Sequence, residues 1–452
     1  MEQDLTTGSV FKRIVYFSLP YLLSYFLQTL YGMADLFITG QFYGVDTITA
    51  VSNGSQIMHM MTVIIVGLAM GTTVTIGHSV GAKCMEQAEK IIGNTITLFM
   101  GIAVAFTVIL VVLVKPIVVL IATPQEAVAG TSIYLLICFI GIPFITSYNI
   151  ISSIFRGLGD SKSPMCFIAT ACAANIALDY LFMGVLHLGP AGAALGTTLS
   201  QAISVVVSLT VILKRRSIVL KKSDFKPCRA VMGKILGIGI PIAFQDGLIQ
   251  VAFIIITIIA NQRGLNDAAA VGIVEKVISF LFLVPSSMLS TVSALGAQNI
   301  GAGKPDRAIQ TLRYAVMLAA GFGVLASIAI QFTAEGIVSL FTDPSTADGA
   351  AVVRFGGQYL RGYIFDCIFA GIHFSFSGFF CACGKSGLSF LHNILAIVLM
   401  RVPGVYVTSK LFPATLLPMG LATAAGSLLS VVICLIAFGV IRRKSTLVLV
   451  EE

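Results

Sequence analysis

Two residues four apart, Asn175 and Asp179, interrupt one long apolar run, and a second acid, Asp35, interrupts another. An i, i+4 pair falls on one face of a helix. An ionisable group at the centre of a bilayer costs about 2.5–3.5 kcal/mol even on the lenient insertion scale, so each invites a functional reading. Treating the apolar runs as helices places Asp35 near the outer end of the first and Asn175/Asp179 in the outer half of the fifth. Tyr134 then lies two turns below the outer surface in the fourth, and Thr197 about two turns down in the sixth. Five oxygen-bearing side chains from four helices share one depth, and two of them are carboxylates. The chemistry open to such a set is cation binding, either oxygen ligands for Na⁺ or a carboxylate pair that takes up H⁺.

The second half carries a different set. Glu275 and Lys276 fall in the eighth apolar run, Arg361 and Asp366 in the tenth and Arg401 in the eleventh. Three positive and two negative charges can neutralise one another, so they read first as a structural ion-pair network. Asp246 follows Pro241 by about a turn, and His59, His373 and His392 are candidate proton relays, although a membrane histidine is more often a hydrogen-bonded packing residue. The nine cysteines are odd in number and mostly within apolar runs, which speaks against a disulfide framework or a zinc site.

Enzymatic motifs are missing: there is no H-E-x-x-H and no G-x-S-x-G. Gly384-Lys385-Ser386 imitates the end of a Walker A loop, but Phe379 stands at the first glycine position and a membrane helix precedes it. The sequence therefore predicts a transporter rather than an enzyme. No cofactor is expected, and no metal apart from Na⁺ at Asp35, Asn175 and Asp179; an ion gradient of Na⁺ or H⁺ would supply the energy.

The elements that must position these residues are membrane helices. The chain has 452 residues, 57% hydrophobic and only 11% charged, against about 25% charged in a soluble domain. Its apolar runs reach the ~20 residues needed to span a bilayer. They fall at about 14–37, 51–78, 91–114, 127–153, 164–185, 190–213, 235–260, 269–296, 312–333, 355–381, 387–411 and 418–441. Period-two alternation is absent, which excludes a membrane β-barrel. Lys12-Arg13 before the first run resembles a signal peptide, but the run is too long and lacks a small-x-small cleavage site, so a retained helix is expected.

The net charge of +8 is an orientation signal rather than a nucleic-acid one. Most of the 28 basic residues, including Lys12, Arg13, Lys83, Arg156, Arg216, Arg307, Arg313 and Arg442–Lys444, gather at one side, while Lys115, Arg263, Arg354 and Lys410 lie at the other. The positive-inside rule then puts both termini in the cytoplasm of an inner, bacterial cell membrane. Contact with membrane lipid follows from that charge.

The second half repeats the first. Ser79-Val80-Gly81-Ala82 meets Asn299-Ile300-Gly301-Ala302, Pro20 meets Pro241, and Gly159 and Ser161 meet Gly384 and Ser386. The expected organisation is an N-terminal lobe over 1–213, a basic cytoplasmic linker over 214–234 and a C-terminal lobe over 235–452. Six spans per half make these parallel repeats, a recurrent transporter design. Prolines 20, 143, 241, 285 and 403 stand inside spans, where each permits a kink.

With these marks the chain resembles the multidrug and toxic compound extrusion (MATE) family over nearly its whole length. The resemblance rests on Pro20, Gln28, Tyr31, Asp35 and Gly40, on Gly77 with Gly81-Ala82, and on Arg156-Gly157-x-Gly159-Asp160. It continues through Asn175-x-x-x-Asp179, Gly192-Ala193-Ala194, Thr197 and Ser200-Gln201, and through Gln298-Asn299-x-Gly301-Ala302-Gly303 with Arg307-Ala308. It implies an all-α integral membrane protein, with twelve helices in two pseudo-symmetric six-helix bundles forming a V-shaped transporter. It implies a first-lobe cation site at Asp35, Tyr134, Asn175, Asp179 and Thr197, and a substrate cavity reaching Gln28 and Tyr31. The seventh-helix glutamate of another branch has no match at Ile249-Gln250.

The implied function is a monomeric antiporter that exports organic, amphipathic cations in exchange for Na⁺ or H⁺. The alternative is a flippase for a lipid-linked oligosaccharide, which Arg361 and Arg401 keep open. A polytopic membrane transferase would lack the internal repeat.

Overall fold

The computed structural model describes residues 4–215 and 220–443; Arg216 and Lys444 lie outside them. Among the described residues, ten helices are long and apolar enough to cross a membrane. Gln125–Ile140 and Ile142–Gly157, bent by 49° at Gly141, form an eleventh span. Val10–Phe42 falls outside that count because its tyrosines, Gln28 and Asp35 dilute the apolar run, yet its 33 residues complete the twelve expected spans.

The spans are α1 (Val10–Phe42), α2 (Val45–Gly81), α3 (Met85–Leu120), α4 (Gln125–Ile140 with Ile142–Gly157), α5 (Lys162–Val185) and α6 (Pro190–Arg215). The second half gives α7 (Arg229–Asn261), α8 (Leu265–Gly301), α9 (Pro305–Val338), α10 (Ala347–Ala382), α11 (Ser386–Leu411) and α12 (Leu417–Arg443). Outside the spans, Thr346 caps α10 by accepting the Gly349 N–H at 3.0 Å. Asp343 accepts the Ser345 N–H at 2.9 Å, which holds its carboxyl below the ordinary range.

Proline explains three of the breaks. Its ring removes a donor and crowds the carbonyl four residues back, so the helix breaks just before it. Pro143 follows the bend at Gly141, Pro285 follows the break at Phe282 in α8, and Pro403 follows a π-helical turn over Ile397–Arg401 in α11. The break at Ile364 in α10 has no proline; there the Ile364 carbonyl accepts the Ser327 hydroxyl of α9 at 3.4 Å.

The repeat extends to backbone geometry. After α2, the N–H of Cys84 reaches Ser79 O at 2.9 Å while Lys83 takes a positive φ of 58°. After α8, Lys304 reaches Asn299 O at 2.8 Å with Gly303 at 69°. Asp160 to Phe155, with Gly159 at 91°, and Lys385 to Phe380, with Gly384 at 67°, repeat the same closure after α4 and α10. These left-handed caps satisfy carbonyls that the helix ends would otherwise strand.

By packing, the described chain divides into two units. Asp4 with Leu19–Ala243 makes the first, and Leu5–Ser18 with the chain from Phe244 onward makes the second. The lobes expected from sequence therefore exchange one stretch each. In the second unit, Leu5 is buried, Lys304 Nζ donates to Thr6 O at 2.9 Å and Arg307 Nη2 donates to Thr7 O at 2.9 Å. In the first, the start of α7 lies against α2 so closely that a methyl group on Gly71 would collide with Ile235 O, and one on Gly239 with Leu68 O. Close approach through small residues is how helices associate where lipid gives no hydrophobic drive. The turn Lys222–Phe225 also belongs to the first unit: Asn94 of α3 donates to Asp224 O at 3.0 Å and accepts the Cys228 N–H at 2.7 Å. Beside α7, the Val231 backbone N–H and nearby Lys90 hold the Cys228 thiol below its ordinary value.

Candidate functional site

Three helices of the first unit build one polar cluster from the ends of apolar runs. Gln28, Tyr31 and Asp35 follow one face of α1 at i, i+3 and i+7. Gln28 and Tyr31 are half-buried and Asp35 is buried. One turn on, the Thr39 hydroxyl donates to Asp35 O at 2.6 Å and lies 3.5 Å from Met183 Sδ, which fixes α1 against α5. Asp179 is the last α-helical residue of α5 before a π-helical turn, Tyr180–Val185. Such turns re-aim side chains and recur at functional sites.

Helix α6 approaches this turn through its small residues. A methyl group on Gly192 would press on Phe182 and Met183, and one on Gly196 would collide with Asp179 Oδ1. The next residue, Thr197, donates its hydroxyl to Asp35 Oδ2 at 3.1 Å. Asp35 in turn faces Asp179 and Asn175. All four side chains are at most 7% exposed, so water does not solvate their charge.

The structure thus brings Asp35, Asn175, Asp179 and Thr197 together. Tyr134 is buried in the same unit, but its hydroxyl pairs with Ser55 of α2 at 3.0 Å and its ring covers Gly54. Ser55, Met183 and Gly196 are parts of the arrangement that sequence reasoning missed. Polarity gave no signal for a methionine or a glycine, and Ser55 is one of many hydroxyls in the spans.

Asp35 Oδ1, both Asp179 oxygens and both ends of the Asn175 amide make no hydrogen bond to protein, and neither acid forms an ion pair among the described residues. Buried polar atoms are costly when unpartnered. A set rich in oxygen donors and lacking any cation fits Na⁺ or H⁺. No cluster of three or more His, Cys, Asp or Glu occurs among the described residues, so the set does not suit a transition metal.

The five charges of the second half do not form one network. Arg401 Nη2 contacts Asp366 Oδ2 at 2.7 Å and donates to the Ser427 hydroxyl at 2.8 Å. Arg361 instead grips Glu335 of α9 with two bonds of 2.9 and 3.0 Å. Glu275 lies 3.4 Å from the Thr257 hydroxyl, and Lys276 is exposed. Of the expected set only Arg401 and Asp366 meet as an ion pair, because Arg361 finds its partner on α9, a helix outside the set. His392 bridges Ser377 at 2.9 Å and Ser430 at 3.2 Å, and His373 stacks edge-on beside it. Asp246 is half-buried, with Gln245 Nε2 at 3.4 Å.

The family model MatE matches residues 20–181 and 241–407, so its two copies start at Pro20 and Pro241. The chain belongs to the MatE family. The probable multidrug resistance protein YpnP of Bacillus subtilis (strain 168) is 29% identical over 94% of this chain and 93% of its own length. The multidrug export protein MepA of Staphylococcus aureus (strain bovine RF122 / ET3-1) is 25% identical over 90% of this chain and 89% of its own. A solved multidrug resistance MATE family transporter of the MOP superfamily, in an outward-facing conformation, superposes with a TM-score of 0.90 at 21% identity and 98% coverage of both chains. A MOP superfamily transporter from Pyrococcus furiosus, described as having reversed binding-pocket polarity that suggests a different function, reaches 0.91 at 21% identity over 98% of both. The family model therefore matches the chain twice, and the fold of these solved structures extends over 98% of it.

Proposed function

We propose that this MatE-family protein is a secondary efflux transporter that exchanges Na⁺ or H⁺ for amphipathic organic cations by alternating access. The observation that carries the reading is the pair of buried acids, Asp35 and Asp179, with no counter-cation among the described residues. A transported ion supplies the missing charge. Binding it neutralises the cluster and favours one arrangement of the protein, and substrate favours the other; each shifts the equilibrium only by its differential affinity. Gln28 and Tyr31, on the Asp35 face of α1, are the proposed contacts for the organic cargo. The relatives named for multidrug export support that cargo class. Thr197 and Asn175 supply neutral oxygens in the cluster.

A flippase for a lipid-linked oligosaccharide needs cationic side chains free to meet the pyrophosphate of its cargo. Arg361 and Arg401 are both engaged by carboxylates, so the feature that kept this alternative open is spent within the fold. Both termini are proposed to lie in the cytoplasm, from the side on which the basic residues gather, with the protein monomeric in a bacterial cell membrane.

Proteoliposomes with separately imposed Na⁺ and pH gradients, loaded with a fluorescent organic cation, test the proposal. Asp35→Asn and Asp179→Asn remove the charge while keeping shape, and each should abolish gradient-driven export with the protein still folded. Glu275→Gln, outside the cluster, should retain it. Normal gradient-driven export by the double Asp→Asn variant refutes the reading.

A further inference from the structure

A cavity of about 480 Å³ opens in the second unit between the first turns of α9 and the last turn of α12, lined by Asp306, Arg307, Ile309, Gln310, Arg313 and Arg442. Three guanidinium groups therefore face one carboxylate. Arg307 spends one nitrogen on the Thr7 carbonyl. Arg313 and Arg442 are exposed and make no ion pair among the described residues. Guanidinium forks match phosphate oxygens in shape as well as charge.

A second observation says what the phosphate belongs to. From Arg313 an exposed stripe continues along one face of α9 through Met317, Leu325, Ile328 and Phe332, which are 67%, 70%, 55% and 84% exposed. From Arg442 a matching stripe runs back along α12 through Leu435, Val432 and Leu428, all exposed. Exposed Gly321 and Gly439 fill the intervals of eight and seven residues, and the resulting steps of three and four keep each stripe continuous with its arginine. A free anion would use the arginines alone. A molecule with a phosphate at one end and acyl chains along both stripes uses the whole surface, as basic pockets between membrane helices do for anionic headgroups.

We infer that this cavity binds the phosphate headgroup of an anionic phospholipid whose acyl chains lie along α9 and α12. Arg313 and Arg442 clamp the phosphate, and Gln310 donates to headgroup oxygens. The side of the membrane on which it acts follows the proposed topology, while binding itself is independent of the proposed ion coupling.

Native mass spectrometry of the full chain in detergent, titrated separately with phosphatidylglycerol, phosphatidylcholine and inorganic phosphate, tests the inference without any transport assay. The wild type should hold one phosphatidylglycerol about tenfold more tightly than phosphatidylcholine, and phosphate should not displace it. Arg313→Gln with Arg442→Gln should erase the preference, while Arg313→Lys with Arg442→Lys keeps most of it. If the double glutamine variant fails to fold, the two single variants should each weaken the preference. Unchanged phosphatidylglycerol binding by a folded glutamine variant overturns the inference. So does displacement by millimolar phosphate, which makes the cavity a site for free anion.

Discussion

Asp179 occupies the space that a side chain at position 196 would need, and this links a glycine to the chemistry of the cluster. A Cβ there would collide with Asp179 Oδ1 and sit 3.1 Å from its Cγ. Gly196→Ala must therefore displace the carboxylate, with overpacking strain of about 1–3 kcal/mol, or roughly tenfold to a hundredfold in cation affinity. Gly233→Ala on α7 meets nothing within 4 Å and should leave both affinity and export unchanged. Isothermal titration of Na⁺ or H⁺ against the two variants checks this, and wild-type affinity in Gly196→Ala would show that the carboxylate has room to move. Asp35, Asn175, Asp179 and Thr197 were legible in the sequence because a polar group in a long apolar run is conspicuous, and residue count along a span gives its depth. The partners were not. Ser55 opposite Tyr134 and Glu335 opposite Arg361 depend on which helices are neighbours, and that is decided by packing.

At the scale of elements, apolar run length accounts for eleven spans because lipid forces backbone groups to pair within a helix, while α1, diluted by its polar residues, is the weakest such signal. Proline marked three of the breaks, whereas the break at Ile364 and the π-helical turn Tyr180–Val185 carry no sequence sign. The segment 214–234 reads as a solvated polar connector, but its second part is docked. Asn94 bonds both Asp224 O and the Cys228 N–H, and the Thr97 hydroxyl donates to Phe225 O at 2.9 Å. Asn94 is itself fully buried in α3. Asn94→Ala strands those backbone groups at a cost of about 1–3 kcal/mol. The expected result is faster tryptic cleavage at Lys221 and Lys222, which are exposed and not followed by proline, together with earlier thermal unfolding of the first unit. Cleavage at the wild-type rate would mean that the turn is held by packing alone.

Over the whole molecule, the exchange of leading stretches gives the repeated prolines a common role. Within helices, the described chain passes between the two units twice, between Ser18 and Leu19 in α1 and between Ala243 and Phe244 in α7. Pro20 and Pro241, equivalent in the repeat, stand within three residues of these crossings. A proline inside a helix removes one hydrogen bond and costs about 3 kcal/mol relative to alanine, so the helix bends most easily there. If alternating access requires the units to change their arrangement, these two points must absorb the change, because a straight, fully bonded helix would couple the units rigidly. Pro20→Ala and Pro241→Ala should therefore stiffen the crossings and raise or preserve thermal stability. They should also slow turnover severalfold while leaving equilibrium cation affinity intact. Pro116→Ala lies within α3, which stays in the first unit throughout, and serves as the control with unchanged turnover. Binding and counterflow measured on the same preparations separate the two effects. Wild-type turnover in the Pro20→Ala/Pro241→Ala double variant would place the flexible points elsewhere, whereas loss of cation binding would mean that the prolines shape the cluster instead of the motion.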